Sequence, residues 1–206
     1  MAVTEQGPGG GGRMQQRIKN ILFSPAEEWA RIDAEQATVK SLYLGYACIL
    51  AAIGPIARFI GGQLFGYHTL FGVGHPGLIS GLAAAVVGYI LNLAGVYVLA
   101  LAIDLMAPSF GGTRSRIQAL KLAVYAWTAS WLFAVFQLVP QVSGLAIIGV
   151  YSLYLLYLGV PKLMKTPEDK GLVYSVMAIV VALAIWIVVM LAARALIGVG
   201  PPTTSI

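Results

Sequence analysis

The sequence predicts an all-α integral membrane protein: five transmembrane helices preceded by short amphipathic interfacial helices. Three features carry that expectation: scarce charge, apolar runs of bilayer length, and basic residues confined to alternate connectors. Of 206 residues, 10% are charged and 59% hydrophobic, with a mean hydropathy of +0.83. A soluble domain carries about 25% charged residues, so most of this surface must face lipid. Helices or closed barrels alone satisfy the backbone there, and the chain has no ten-residue alternating strands of the barrel kind.

The elements follow in order. Residues 1–12, ending in the run Gly9 to Gly12, read as a disordered glycine-rich tail. Residues 13–40 read as cytoplasmic amphipathic helices, with Met14, Ile18, Ile21 and Leu22 at helical spacing and Arg17 and Lys19 on other faces. Ser24 is expected to end one helix and cap the next, with Pro25 at the first position and Glu27 completing a capping box. The second helix sets Trp29 and Ile32 against Glu28 and Asp33. Such a helix lies among lipid headgroups, packs on the cytoplasmic end of the bundle, or does both.

A membrane domain over 41–198 is then expected, with spans near 41–60, 78–106, 119–139, 144–163 and 172–197 and an outer tail at 199–206. About 20 residues at 1.5 Å each cross a core of about 30 Å. Pro55 should kink the first span. The second is longer than one crossing needs and should tilt or project. The connector Pro140 to Ser143 is so short that the third and fourth spans should form an antiparallel hairpin.

Orientation follows from lysine and arginine. Eleven of the thirteen lie in the amino-terminal segment (Arg13, Arg17, Lys19, Arg31, Lys40) or in the cytoplasmic basic connectors (Arg114, Arg116, Lys121, Lys162, Lys165, Lys170). Arg58 and Arg194 are left for the other side, where their long stems let the charges reach the outer interface. The amino terminus is therefore expected in the cytoplasm and the carboxyl terminus in the periplasm. The net charge of +5 is spread too thinly for a nucleic-acid surface.

Chemistry-bearing patterns are sparse. Cys48 is the single cysteine, which excludes an internal disulfide and reads as a packing residue. His68 and His75 lack a third ligand, and neither Ser143 nor Ser152 has a histidine and an acid in a triad arrangement. No catalytic residue, cofactor or metal is expected. Asp104, near the end of the second span, reads as half of a structural ion pair with the connector arginines or Lys121. Gly81, Ala85, Gly88, Asn92 and Gly95 share one face of that span and read as a helix-packing seam, with an interhelical partner for the Asn92 amide. A substrate contact at Asn92 is the alternative.

Three passages carry a family resemblance: RIKNILFSPAEEWARI (Arg17 to Ile32), GGTRSRIQALKLAVYAWTASWL (Gly111 to Leu132) and YSLYLLYLGVPKLMKTPEDK (Tyr151 to Lys170). In this order they resemble the bacterial branch of the Yip domain family, membrane proteins named for interaction with Ypt/Rab GTPases in eukaryotes. The resemblance covers nearly all of the chain after Arg13 and implies a membrane partner, not an enzyme. The family's D-L-x-G-P motif is echoed by Asp104 to Pro108, but with alanine for glycine and at the end of the second span, so no role is carried over.

The expected function is a non-enzymatic scaffold or adaptor of the bacterial inner membrane. Its partners would be the bilayer and anionic lipid headgroups, a membrane or cytoplasmic protein, or a second copy in a homo-oligomer. The alternative is a small transporter or channel with a polar cavity around Asn92 and Gln137.

Overall fold

The computed structural model describes residues 10–69, 72–75 and 77–197. Two short helices, α1 (Gly10–Phe23) and α2 (Pro25–Ala34), precede five helices long and apolar enough to cross a membrane. These are α3 (Val39–Phe65), α4 (Leu78–Phe110), α5 (Arg116–Leu138), α6 (Gln141–Met164) and α7 (Glu168–Leu196). The protein is an all-α membrane protein with five transmembrane helices. Helix α1 begins at Gly10, inside the expected tail; residues 1–9 and 198–206, and with them the outer-tail expectation, lie outside the described residues.

Between α3 and α4 the connector pairs three residues with three, β1 (Tyr67–Thr69) antiparallel to β2 (Gly72–Gly74), in register Tyr67 to Gly74. His68 lies in β1, its side chain outside the described set, and His75 just after β2 is exposed.

Helix α3 is interrupted twice. Tyr43–Ala47 forms a π turn, and a turn at Ala52 separates Cys48–Ala51 from Ile53–Phe65. Pro55 has no amide hydrogen for the carbonyl four residues back, which accounts for the second break. Its start is secured by Thr38, whose hydroxyl accepts from the Ser41 amide at 3.1 Å while Ser41 Oγ accepts from the Thr38 amide at 3.0 Å. The expected box at Ser24 does not form. Ser24 alone joins α1 to α2, and its ψ of 56° departs from the extended cap geometry that aims a hydroxyl at the following amides; Thr38, at ψ 157°, has that geometry.

The core centres on α5. Of its most apolar stretch 56% is buried, against 11% for α7, which packs on α4 and α6 and presents the rest to lipid. Ala119, Ala123, Ala126 and Ala129 are all fully buried along one side of α5, and such small side chains let neighbours approach closely. The turn from α5 to α6 is an antiparallel hairpin whose two arms, Ala134–Leu138 and Pro140–Val150, are 3-10 helix where α-helix was expected. There α3 comes so close that a Cβ on Gly61 would stand 2.4 Å from the Leu138 carbonyl oxygen.

Candidate functional site

The strongest concentration of polar contacts lies where α1 and α2 close over one end of the bundle. Their apolar faces make the attachment: Ile21, Trp29 and Ile32 are fully buried. The two readings of Trp29, headgroups or bundle, resolve in favour of the bundle. Its ring lies on α6 at Gly159, where an added Cβ would meet Leu122 Cδ1 at 2.5 Å and Trp29 Cε2 at 2.8 Å. Any side chain at 159 would lift the ring from its seat.

Polar groups then lock the cover. The Arg17 guanidinium pairs with both Glu28 and Glu35 and stands over the Tyr125 ring at 5.3 Å. Asn20 Nδ2 donates to Glu28 Oε2 at 3.0 Å, and Arg31 reaches the same carboxylate at 3.4 Å, so the buried Glu28 is satisfied from three sides. Burial pulls the Arg17 pKa down, but the Glu35 hydrogen bond and the neighbouring negative charges outweigh it, and the net shift is upward.

The bundle reaches into the cover as well. Lys121 of α5 donates to the Ile32 carbonyl at 2.8 Å and to that of Glu35, a cation on the last carbonyls of α2 where a helix end is most negative. Gln118 donates to the Asp33 carbonyl at 3.1 Å and to its carboxylate at 3.2 Å. Lys165 pairs with Asp33, and Tyr151 of α6 donates to the Leu22 carbonyl at 3.1 Å.

The basic connectors divide by this geometry. Asp104, buried, pairs with Arg114 at 3.1 Å. Lys121 holds α2 instead of Asp104, and Lys165 holds Asp33. Arg116, Lys162 and Lys170 are exposed and, with Arg13, Lys19 and Lys40, form no ion pair among the described residues. A rim of outward cations therefore surrounds the cover. Glu28, set on the polar face opposite Trp29 by the sequence, is the residue found buried instead. The Trp29 alternatives stayed open because an amphipathic helix looks alike on lipid and on protein.

Deeper in the bundle, Asn92 accepts the Trp131 indole hydrogen at 2.9 Å, a partner on α5 of the same chain. The expected seam is divided between two helices. Gly81 faces Gln63 and Phe59 of α3, Gly95 faces Val189 and Ile185 of α7, and a Cβ on Gly88 would meet nothing within 4 Å; Ala85 is half-buried between them. A cavity of about 30 Å³, lined by Asn92, Trp127, Trp186 and apolar neighbours, has room for about one water. Gln137 lies at the far end, accepting two bonds from Arg58 at 2.9 and 2.8 Å.

Comparison with known proteins places the chain among relatives. A family model described as Yip1 domain matches residues 19–190. The chain is 35% identical over 162 residues to "Inner membrane protein YohC" of Escherichia coli strain K12, covering 75% of this chain and 82% of that protein. The same protein of E. coli O6:H1 strain CFT073 matches equally. No solved structure matches the chain.

Proposed function

The chain belongs to the Yip1 domain family, and from that membership we propose that it is a non-enzymatic scaffold or adaptor of a bacterial inner membrane. Its helix-capped basic end faces the cytoplasm, where lysine and arginine are retained. The name of its E. coli relatives, an inner membrane protein, supports the compartment.

One observation carries the reading: the cover is fixed to the bundle by buried side chains and by the pairing of Arg17, Glu28, Asp33 and Glu35, while the exposed cations of that end without an ion pair among the described residues outnumber the exposed acids Glu27, Glu168 and Asp169. A rigid, cationic platform at a membrane surface attracts anionic headgroups and acidic protein segments. The membrane-buried polar groups, by contrast, are engaged with one another, as Asn92 is with Trp131 and Tyr46 with Thr128 at 2.8 Å.

The transporter alternative calls for a polar passage around Asn92 and Gln137; the space at Asn92 admits about one water and Gln137 is engaged with Arg58. A photo-crosslinker at Lys19 or Lys162 should give discrete adducts in cells after gentle extraction. Uncrosslinked monomers alone would sink the adaptor reading. Flux in proteoliposomes that Asn92→Leu abolishes would install the transporter in its place.

A further inference from the structure

A groove of about 310 Å³ runs between the start of α3 and the middle of α4, lined by Val39, Tyr43, Leu93, Ala94 and Tyr97. It is a shallow depression, open along the flank of the bundle. The lining is apolar save for the hydroxyls of Tyr43 and Tyr97, and that of Tyr43 is already committed to the Leu93 carbonyl at 3.0 Å. Tyr97 stands edge-on to Tyr43, centroids 6.4 Å apart at 69°, so that two braced rings form one wall. Val39, Ala94 and Tyr97 are exposed on the flank of the bundle, and the medium there is lipid.

The groove opens at interfacial depth, because Val39 is the first residue of α3. The next residue, Lys40, is exposed and forms no ion pair among the described residues. Its stem can lie along the apolar surface while the ammonium stays at headgroup level. An apolar slot whose first lining residue, Val39, adjoins an exposed lysine is complementary to a molecule with a hydrocarbon tail and a negative head. We propose that the groove holds one acyl chain of an anionic phospholipid from the adjacent leaflet, its phosphate on the Lys40 ammonium. The proposal rests on the reading of the basic end as a surface for anionic lipid and gives that surface one defined site.

The test uses the full chain, delipidated in detergent and offered phosphatidylglycerol and phosphatidylcholine with identical acyl chains, with retained lipid read by native mass spectrometry. Phosphatidylglycerol should be retained with about fivefold preference, the worth of one lysine at an anionic surface. Lys40→Gln should bring the two lipids to parity without lowering total retention. Ala94→Phe, at an exposed position that leaves the core untouched, should fill the groove and displace both. Full preference in Lys40→Gln, or retained lipid in Ala94→Phe, overturns the site. If Lys162→Gln lowers the preference as much as Lys40→Gln does, the rim acts as a whole; the groove site then fails and the rim reading stands. Equal retention of both lipids by the unaltered chain removes both.

Discussion

At the scale of single residues, the cover depends on one absent side chain and one buried cation. Gly159→Val would drive a branched side chain into the space held by Trp29 and Leu122. Overpacking of this kind costs about 1–3 kcal/mol, and the cost falls on the cover because α2 is held less extensively than the spans. Limited proteolysis should then cut between α1 and α3 well before the bundle unfolds; cleavage at the unaltered rate would refute the seat. Lys121→Met is the complementary case. It keeps the length of the stem but strips the Ile32 and Glu35 carbonyls of their cation, a loss of about 1–3 kcal/mol where the acceptors are buried. A lower unfolding temperature in detergent, with the same secondary structure by circular dichroism, is the expected result. Gly159 did not stand out in the sequence, and Lys121 did so only as a connector cation and a candidate partner for Asp104. A glycine in an apolar span looks like any small packing residue, and Lys121 reads as one more retained cation until α2 is seen ending against it.

At the scale of elements, the five spans were legible because hydrocarbon thickness fixes a length and the interior of a bilayer tolerates few charges. The breaks within them were less so. Pro55 marks the second interruption of α3 chemically, whereas nothing about Tyr43–Ala47 marks a π turn; that geometry is set by neighbours, with Tyr43 bonded to Leu93 and Tyr46 to Thr128. The glycine face of α4 was legible as a set of close approaches but not in its allocation, Gly81 to α3 and Gly95 to α7. The more buried small-residue face, Ala119 to Ala129 on α5, escaped notice because alanine is common in every span. Asn92→Leu tests a polar contact that joins α4 to α5. The substitution keeps the branching and heavy-atom count of asparagine and leaves the Trp131 indole hydrogen without its acceptor. Interhelical bonds of this sort are worth about 0.6–2 kcal/mol. Denaturation in mixed micelles should show a loss within that range and an intact cover by proteolysis, whereas an unchanged midpoint would mean that the bond contributes nothing.

At the scale of the whole molecule, the odd number of crossings and the uneven distribution of charge make one linked statement about the bilayer. Eleven of the thirteen basic residues belong to the end that carries α1 and α2 or to the connectors beside it, and two, Arg58 and Arg194, lie near the opposite end. Folding has not cancelled this asymmetry. Glu28, Asp33, Glu35 and Asp104 are each matched to a specific cation. Among the described residues of this end, Glu27, Glu168 and Asp169 stay exposed without an ion pair, against the six exposed cations Arg13, Lys19, Lys40, Arg116, Lys162 and Lys170. Short loops rich in lysine and arginine are held back from translocation, so the covered end should remain in the cytoplasm and the last helix should emerge outside. Fusions placed after Ile206 decide it: alkaline phosphatase should be active there and green fluorescent protein dark. Replacing Arg114, Arg116, Lys162 and Lys170 by glutamine, all at exposed positions, should weaken that bias and give a mixed population with both reporters partly active. If the four substitutions left a fully uniform orientation, retention would have to come from the amino-terminal cations alone. The covered platform, rather than the loops between spans, would then set the direction of the chain in the membrane.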